Sequence, residues 1–145
     1  MIEDFQHVCI TCRDIERSIE FYERLGLVVT DPILELDEAG IGRAFQLPQG
    51  HLRVVHLAPP EATGKMFIDL VQWVAPPSTG EPYAALDHIG INRLAFRVSN
   101  IDAMTVSLRE RGITFLSEDA QLFGGIRTIV TTDPDGVFIQ LLEWL

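Results

Sequence analysis

The sequence predicts an α+β protein made of two βαβββ modules, and three observations predict it. A heptad occurs twice: "FIDLVQW" at 67–73 returns as "FIQLLEW" at 138–144. A longer stretch, "HVCITCRDIERSIEFYERLGL" at 7–27, lies over "RLAFRVSNIDAMTVSLRERGI" at 93–113 without a gap. Within each copy the apolar residues first alternate, as in a strand, and then recur at helical spacing.

The elements follow in order. Val8, Ile10 and Cys12 alternate with polar residues, as do Leu94, Phe96 and Val98, so each copy opens on a strand. Asp14 and Asn100 then stand where a helix needs a side-chain oxygen on its first free N–H groups. Ile15, Ile19, Tyr22 and Leu25 form the apolar face of the first helix, and Ile101, Met104, Thr105 and Leu108 that of the second. Gly26 and Gly112 suit the left-handed residue that stops each helix. In the first copy "GRAFQLP" and "HLRVVHL" read as strands around a Pro-Gln-Gly turn, and "MFIDLVQW" closes the copy. In the second, "ITFLSE" and "IRTIVTT" read as strands, and the turn "DPDG" leads to "VFIQLLEW". "APPSTGEPYA" is rich in Pro, Gly and small polar residues and reads as a linker. The chain, 1–145, is therefore expected as one domain: module 1 at 3–74, linker at 75–90, module 2 at 91–145. Neither half looks able to bury both faces of its sheet alone, so the modules are expected to share an interface.

A chain of 145 residues, 47% apolar, has enough material for a proper core. No apolar run reaches the ~18 residues of a membrane span, and "MIEDFQHVCI" lacks the pattern of a signal peptide. The cytoplasm is the expected compartment, with no membrane partner. A formal net charge of −10 argues against a nucleic-acid partner, because phosphates reward basic patches. Cys9 and Cys12 form a C-x-x-C inside a strand pattern, which turns their side chains to opposite faces. That spacing reads as two separate thiols, since a redox pair usually opens a helix.

A duplicated βαβββ unit, with "FYERLGL" ending the first helix and "DPDG" before the last strand, resembles the vicinal oxygen chelate superfamily. That superfamily includes glyoxalase I, bleomycin-resistance proteins and extradiol dioxygenases. The resemblance covers nearly the whole chain and is specific for fold, not for reaction. It implies a cup-shaped mixed β-sheet with helices outside, a divalent metal at the base, and a small-molecule ligand offering two neighbouring oxygens. It also implies a homodimer. Four side chains usually hold the metal, one from the first and one from the last strand of each module. The matching positions here are His7, Asp69, Arg93 and Gln140.

His7 and Asp69 are ready metal ligands, and Gln140 is a weaker one through its amide oxygen. The metal class would be Fe, Mn, Ni or Zn. Arg93 departs from the pattern, because the family usually has histidine there. Arginine stays protonated and cannot ligate a metal. At about 4 Å from a divalent ion, and an effective dielectric of about 20, it would face a repulsion of about 8 kcal/mol before screening. Either Arg93 points away or the usual metal is absent; the sequence favours absence, so no cofactor is expected. Arg93 would then stand in the metal's place, bonded to Asp69 and Gln140.

Strand parity puts His7, Cys9 and Thr11 on one face with Arg93, Ala95 and Arg97, opposite the apolar helix-facing set. Two arginines there suggest an anionic or carbonyl-bearing ligand. Parity does not place Asp69, Val71 and Trp73 inside rather than Ile68, Leu70 and Gln72; only the resemblance does. Glu143 matches Gln72, and its parity turns it away from Gln140. Trp73 and Trp144 are repeat-equivalent and would line a pocket or plug the module interface. His51, His56 and His88 are each lone histidines, which are usually structural but can serve as a base.

Two functions follow. The first is a lyase-, isomerase- or dioxygenase-like enzyme on a small oxygenated metabolite. Its catalytic residues would be His7, Asp69 and Arg93, and its ligand-binding residues Cys9, Thr11, Trp73, Arg97 and Gln140. The second is a metal-free binder of the bleomycin-resistance type. His7 and Asp69 favour the enzyme, and Arg93 favours the binder or an atypical enzyme.

Overall fold

The structure is a computed structural model, and it describes residues 1–62 and 66–145. The chain divides into two compact units, Met1–Gly80 and Glu81–Leu145, so the division falls inside the Pro- and Gly-rich segment. Each unit holds its own sheet.

In the first unit, β1 (His7–Thr11) leads into α1 (Ile15–Leu25), β2 (Val28–Val29) and β3 (Leu34–Asp37). A short helix α2 (Ala39–Phe45), β4 (His51–Ala58) and β5 (Phe67–Ala75) complete it. The sheet order is β1-β5-β4-β2, with β3 also paired to β4. β1 runs parallel to β5, and the remaining pairs are antiparallel. The second unit repeats this with β6 (Arg93–Arg97), α3 (Ile101–Glu110), β7 (Gln121–Phe123), β8 (Ile126–Thr132) and β9 (Phe138–Trp144). Its sheet order is β6-β9-β8-β7, again with the first strand parallel to the last. No described helix is long and apolar enough to cross a membrane.

The helix signals act as their chemistry requires. Asp14 accepts from the backbone N–H of Arg17, and Asn100 from that of Ala103. Gly26 and Gly112 take φ values of 110° and 82°, which only glycine adopts freely. Ile15, Tyr22 and Leu25 are buried on α1, and Ile101, Thr105 and Leu108 on α3. Leu70 in β5 and Leu141 in β9 are fully enclosed beneath them.

The repeat also includes a tie between sheet and helix. Gln72 accepts the Ile15 N–H through Oε1 at 3.1 Å, and Glu143 accepts the Asn100 and Ile101 N–H groups at 2.5 and 3.3 Å. Beside each, an arginine forks onto an acid of the helix's first turn: Arg53 onto Glu16, and Arg127 onto Asp102 at 2.6 and 2.7 Å. Those hydrogen bonds hold the Glu16 and Asp102 carboxyls below their ordinary values of 4.5 and 3.8. A carboxyl lowered in the folded state stabilises above its unfolded value, and that stabilisation is lost as pH falls through the folded value. The melting temperature should therefore drop as pH is lowered from about 5 to about 3. Arg53→Met and Arg127→Met should each flatten that drop, in melts followed by circular dichroism. The ties are exposed, so each flattening should be small.

Two expected strands are corrected. "GRAFQLP" is not a strand: residues 42–45 belong to α2, and Gln46 ends it at φ 54°. The pairing edge of β4 is taken instead by β3, whose "LELD" alternates. The close approach of α2 to Gly50 explains the difference: a Cβ there would meet Glu38 O at 2.5 Å and Gly42 N at 2.6 Å. "ITFLSE" makes only an isolated bridge from Phe115 to Thr131, and the edge of the second sheet is β7.

Candidate functional site

In the first unit, register decides what parity left open. Cys9 lies beside Asp69 on one side, and His56 beside it on the other. Asp69 therefore shares the open face with His7, Cys9 and Thr11, while Gln72 points to the α1 N-terminus. Trp73 lies on the same strand face and meets the Phe45 ring edge-on at 5.9 Å. Trp144, its counterpart in the second unit, is 64% exposed.

Asp69 is flanked by two imidazoles. His7 Nε2 stands 3.8 Å from Oδ2, and His56 Nε2 stands 3.6 Å from Oδ1. Phe67 packs beside both rings, with centroids 5.4 and 4.5 Å away. Both nitrogen–oxygen distances exceed a hydrogen bond, and Oδ1 is buried with no hydrogen-bond partner among the described residues. The far side of His56 explains this. Its Nδ1 meets Asp31 Oδ2 at 3.0 Å, and the His56 bond, with help from Thr30, holds the Asp31 carboxyl below its ordinary value. Ionised Asp31 only accepts, so Nδ1 carries the proton. In the neutral ring Nε2 is then a lone pair facing the Asp69 carboxylate. Nε2 and Oδ1 face each other across 3.6 Å, beyond a hydrogen bond.

The Cys9 thiol is pushed up to about 11, first by the desolvation of its partly buried sulfur and then by the Asp69 charge. Against an ordinary thiol at 9.0, that leaves about 100-fold less thiolate near pH 8. Iodoacetamide should modify Cys9 correspondingly slowly, and Asp69→Asn should speed the reaction, as mass spectrometry of the alkylated peptide would show. Cys12 is buried, and neither cysteine is in a disulfide.

In the second unit, Arg93, Ala95 and Arg97 share a face with Gln140. Arg93 Nε donates to Gln140 Oε1 at 2.8 Å, and Arg93 Nη1 donates to Asn92 Oδ1 at 3.0 Å. Gln140, 7% exposed, donates onward from Nε2 to Thr128 Oγ1 at 2.8 Å. Its amide oxygen and nitrogen are both in use.

A family model for the glyoxalase/bleomycin resistance protein/dioxygenase superfamily matches residues 4–141. The chain belongs to this superfamily. No curated protein matches it at a significant level. Among solved structures, it is similar to a glyoxalase family protein from Bacillus cereus at 23% identity and a TM-score of 0.86, covering 100% of this chain and 96% of that one. An antibiotic-binding protein from Streptomyces sp. CB03234 matches at 23% identity and 0.65, covering 99% and 98%. The trypanothione-dependent glyoxalase I of Leishmania major matches at 24% and 0.66, covering 98% and 87%. These likenesses show the glyoxalase fold.

Superfamily members typically bind divalent metals. Of the positions the resemblance assigns to metal here, His7 and Asp69 have suitable donors. Arg93 does not, and the only Gln140 atom able to ligate already accepts from Arg93. Among the described residues, no group of three or more His, Cys, Asp or Glu is arranged to hold a metal ion. The donor set does not fit the superfamily's metal.

One residue of this constellation, Asp31, escaped the sequence reading, and His56 was not singled out from the other histidines that can serve as a base. His56 was one of several lone histidines, and Asp31 lies in an ordinary turn. Only the register of β4 against β5 brings them to Asp69. His51 pairs with Glu35 at 2.7 Å, and His88 stacks on Tyr83 at 4.1 Å, so both have local roles.

Proposed function

We propose that this protein is a lyase- or isomerase-type enzyme that moves a proton on a small oxygenated metabolite, with Asp69 as the base. The observation that carries this reading is the buried Asp69 Oδ1, unpartnered and 3.6 Å from His56 Nε2. A buried acceptor without a donor is costly to keep, and such groups concentrate where chemistry needs them. Asp69 takes a proton through Oδ2, the oxygen beside His7, from a hydroxyl-bearing carbon next to a carbonyl, and the electron pair moves onto the carbonyl oxygen. Protonation removes the carboxylate charge whose buried oxygen Oδ1 has no hydrogen-bond donor in the resting state. Asp31 holds the His56 ring in the tautomer that leaves Nε2 able to accept. Return of the proton to the former carbonyl carbon, with His7 carrying the hydroxyl proton to the former carbonyl oxygen, completes an isomerisation. His7 flanks the other oxygen and is a second acid–base group.

The test is deuterium incorporation from D₂O into small 2-hydroxycarbonyl compounds, followed by NMR with chelator present. Exchange that depends on Asp69 is expected.

A second reading, a metal-free small-molecule binder like the antibiotic-binding neighbour, is favoured by one observation. The Arg93–Gln140–Thr128 chain closes the Gln140 amide to a metal. Saturable ligand binding without exchange on any substrate would select it.

A further inference from the structure

Asp69 does not hold the imidazoles beside it. The 3.8 Å to His7 Nε2 and the 3.6 Å to His56 Nε2 are both beyond a hydrogen bond. Among the described residues, His7 makes no side-chain hydrogen bond. His56 makes one, from Nδ1 to Asp31 Oδ2. One bond leaves a ring free to swing about it, and the last torsion of a histidine side chain is a soft one.

Both rings share Phe67 as a neighbour. It lies on the face of Asp69, two residues earlier in β5 and about 7 Å away along the strand. β5 runs between β1 and β4, so the imidazoles reach Phe67 from opposite strands. Its ring centroid is 5.4 Å from that of His7, with the planes tilted by 31°, and 4.5 Å from that of His56, tilted by 50°. Both are contact distances for aromatic rings. A phenyl ring has no hydrogen-bonding group, so it restrains the imidazoles without taking the proton or the lone pair of either. The repeat carries the same residue to a different place: Phe138, in register with Arg93, is 9% exposed and packs as core. Phe67 is half-buried, with an imidazole on each side.

We propose that Phe67 is a positioning residue, a wedge that fixes the planes of His7 and His56 on either side of the Asp69 carboxylate. The assignment rests on the proton-transfer reading of Asp69. Phe67 moves no proton itself and acts through the two rings. Removing the wedge lets His56 turn, so that Nε2 no longer faces Oδ1, and lets His7 leave the oxygen that takes the proton. A displacement of about 1 Å at such groups is enough to slow a reaction.

The experiment compares Phe67→Leu and Phe67→Tyr with the parent, as full chains. Leucine keeps much of the volume and loses the flat ring, whereas tyrosine keeps the ring. Phe67→Met repeats the comparison with a second ringless side chain. The first readout needs no substrate: long-range ¹H–¹⁵N NMR of the histidine rings at about pH 8, where an ordinary imidazole is neutral. In the parent, His56 is expected as the single Nδ1–H tautomer that Asp31 selects. Phe67→Leu is expected to average the two tautomers of His56 and to shift the nitrogens of His7, and Phe67→Tyr to keep the parent pattern. The second readout is deuterium exchange into 2-hydroxycarbonyl compounds. Phe67→Leu should lower kcat about 10-fold and change KM by less than about twofold, while Phe67→Tyr stays near the parent. The proposal is overturned if the ringless variants leave the ring nitrogens as in the parent, or if Phe67→Tyr disturbs them as much as Phe67→Leu does. A raised KM with kcat kept would make Phe67 a substrate contact and overturn it too. A parent that shows no exchange would remove the Asp69 reading, and the ring nitrogens would still decide whether Phe67 sets the imidazoles.

Discussion

Asp69→Asn is expected to lower deuterium exchange by about 10²- to 10⁴-fold, the usual contribution of a positioned general base. The substitution preserves shape and removes the charge that accepts the proton. It also changes the hydrogen-bonding partners. An amide N–H facing His56 Nε2 would fill the 3.6 Å gap with an ordinary donor–acceptor pair. The variant should therefore be at least as stable as the parent while losing exchange. That combination separates a catalytic carboxylate from a structural one, whose loss would lower the melting temperature. Asp31→Asn should give a smaller loss in exchange, with a changed pH profile, because it releases the tautomer of His56 without removing the base. Unchanged exchange in Asp69→Asn would remove the proposed function.

Leu70→Ala and Leu141→Ala are expected to cost about 2–5 kcal/mol each, and by similar amounts. They are the same residue of the two copies, on equivalent strands, and both are fully enclosed beneath the helix of their own unit. Each truncation leaves a cavity that a sheet fixed on both sides cannot close. For a chain of this length that is a fall of roughly 4–20 °C in melting temperature, at about 2–4 °C per kcal/mol. Chemical denaturation of the two variants would measure it. A loss confined to one variant would show that the copies, alike in sequence, do not carry equal shares of the stability.

The sequence by itself determined the duplicated plan. Strand alternation in 7–11 and 93–97, the caps Asp14 and Asn100, and the stops Gly26 and Gly112 are local signals read within one turn of chain, and each performs that role. It also determined that Glu143 turns away from Gln140, because side-chain alternation along one strand is fixed by the backbone. Tertiary structure alone decided the face of Asp69. Ile68, Leu70 and Gln72 alternate with Asp69, Val71 and Trp73, and each set mixes polar with apolar residues, so burial gives no local preference. Pairing with β1 on one side and β4 on the other made the choice, and the same pairing brought His56, and through it Asp31, to the carboxylate. The two strands expected at "GRAFQLP" and "ITFLSE" failed for a related reason. Short apolar runs suit a strand or a helix equally, and the outcome rests on which neighbour arrives: β3 at the edge of β4, and the backbone of α2 against Gly50. Register and close approach are properties of two segments at once, and neither segment's sequence states them alone.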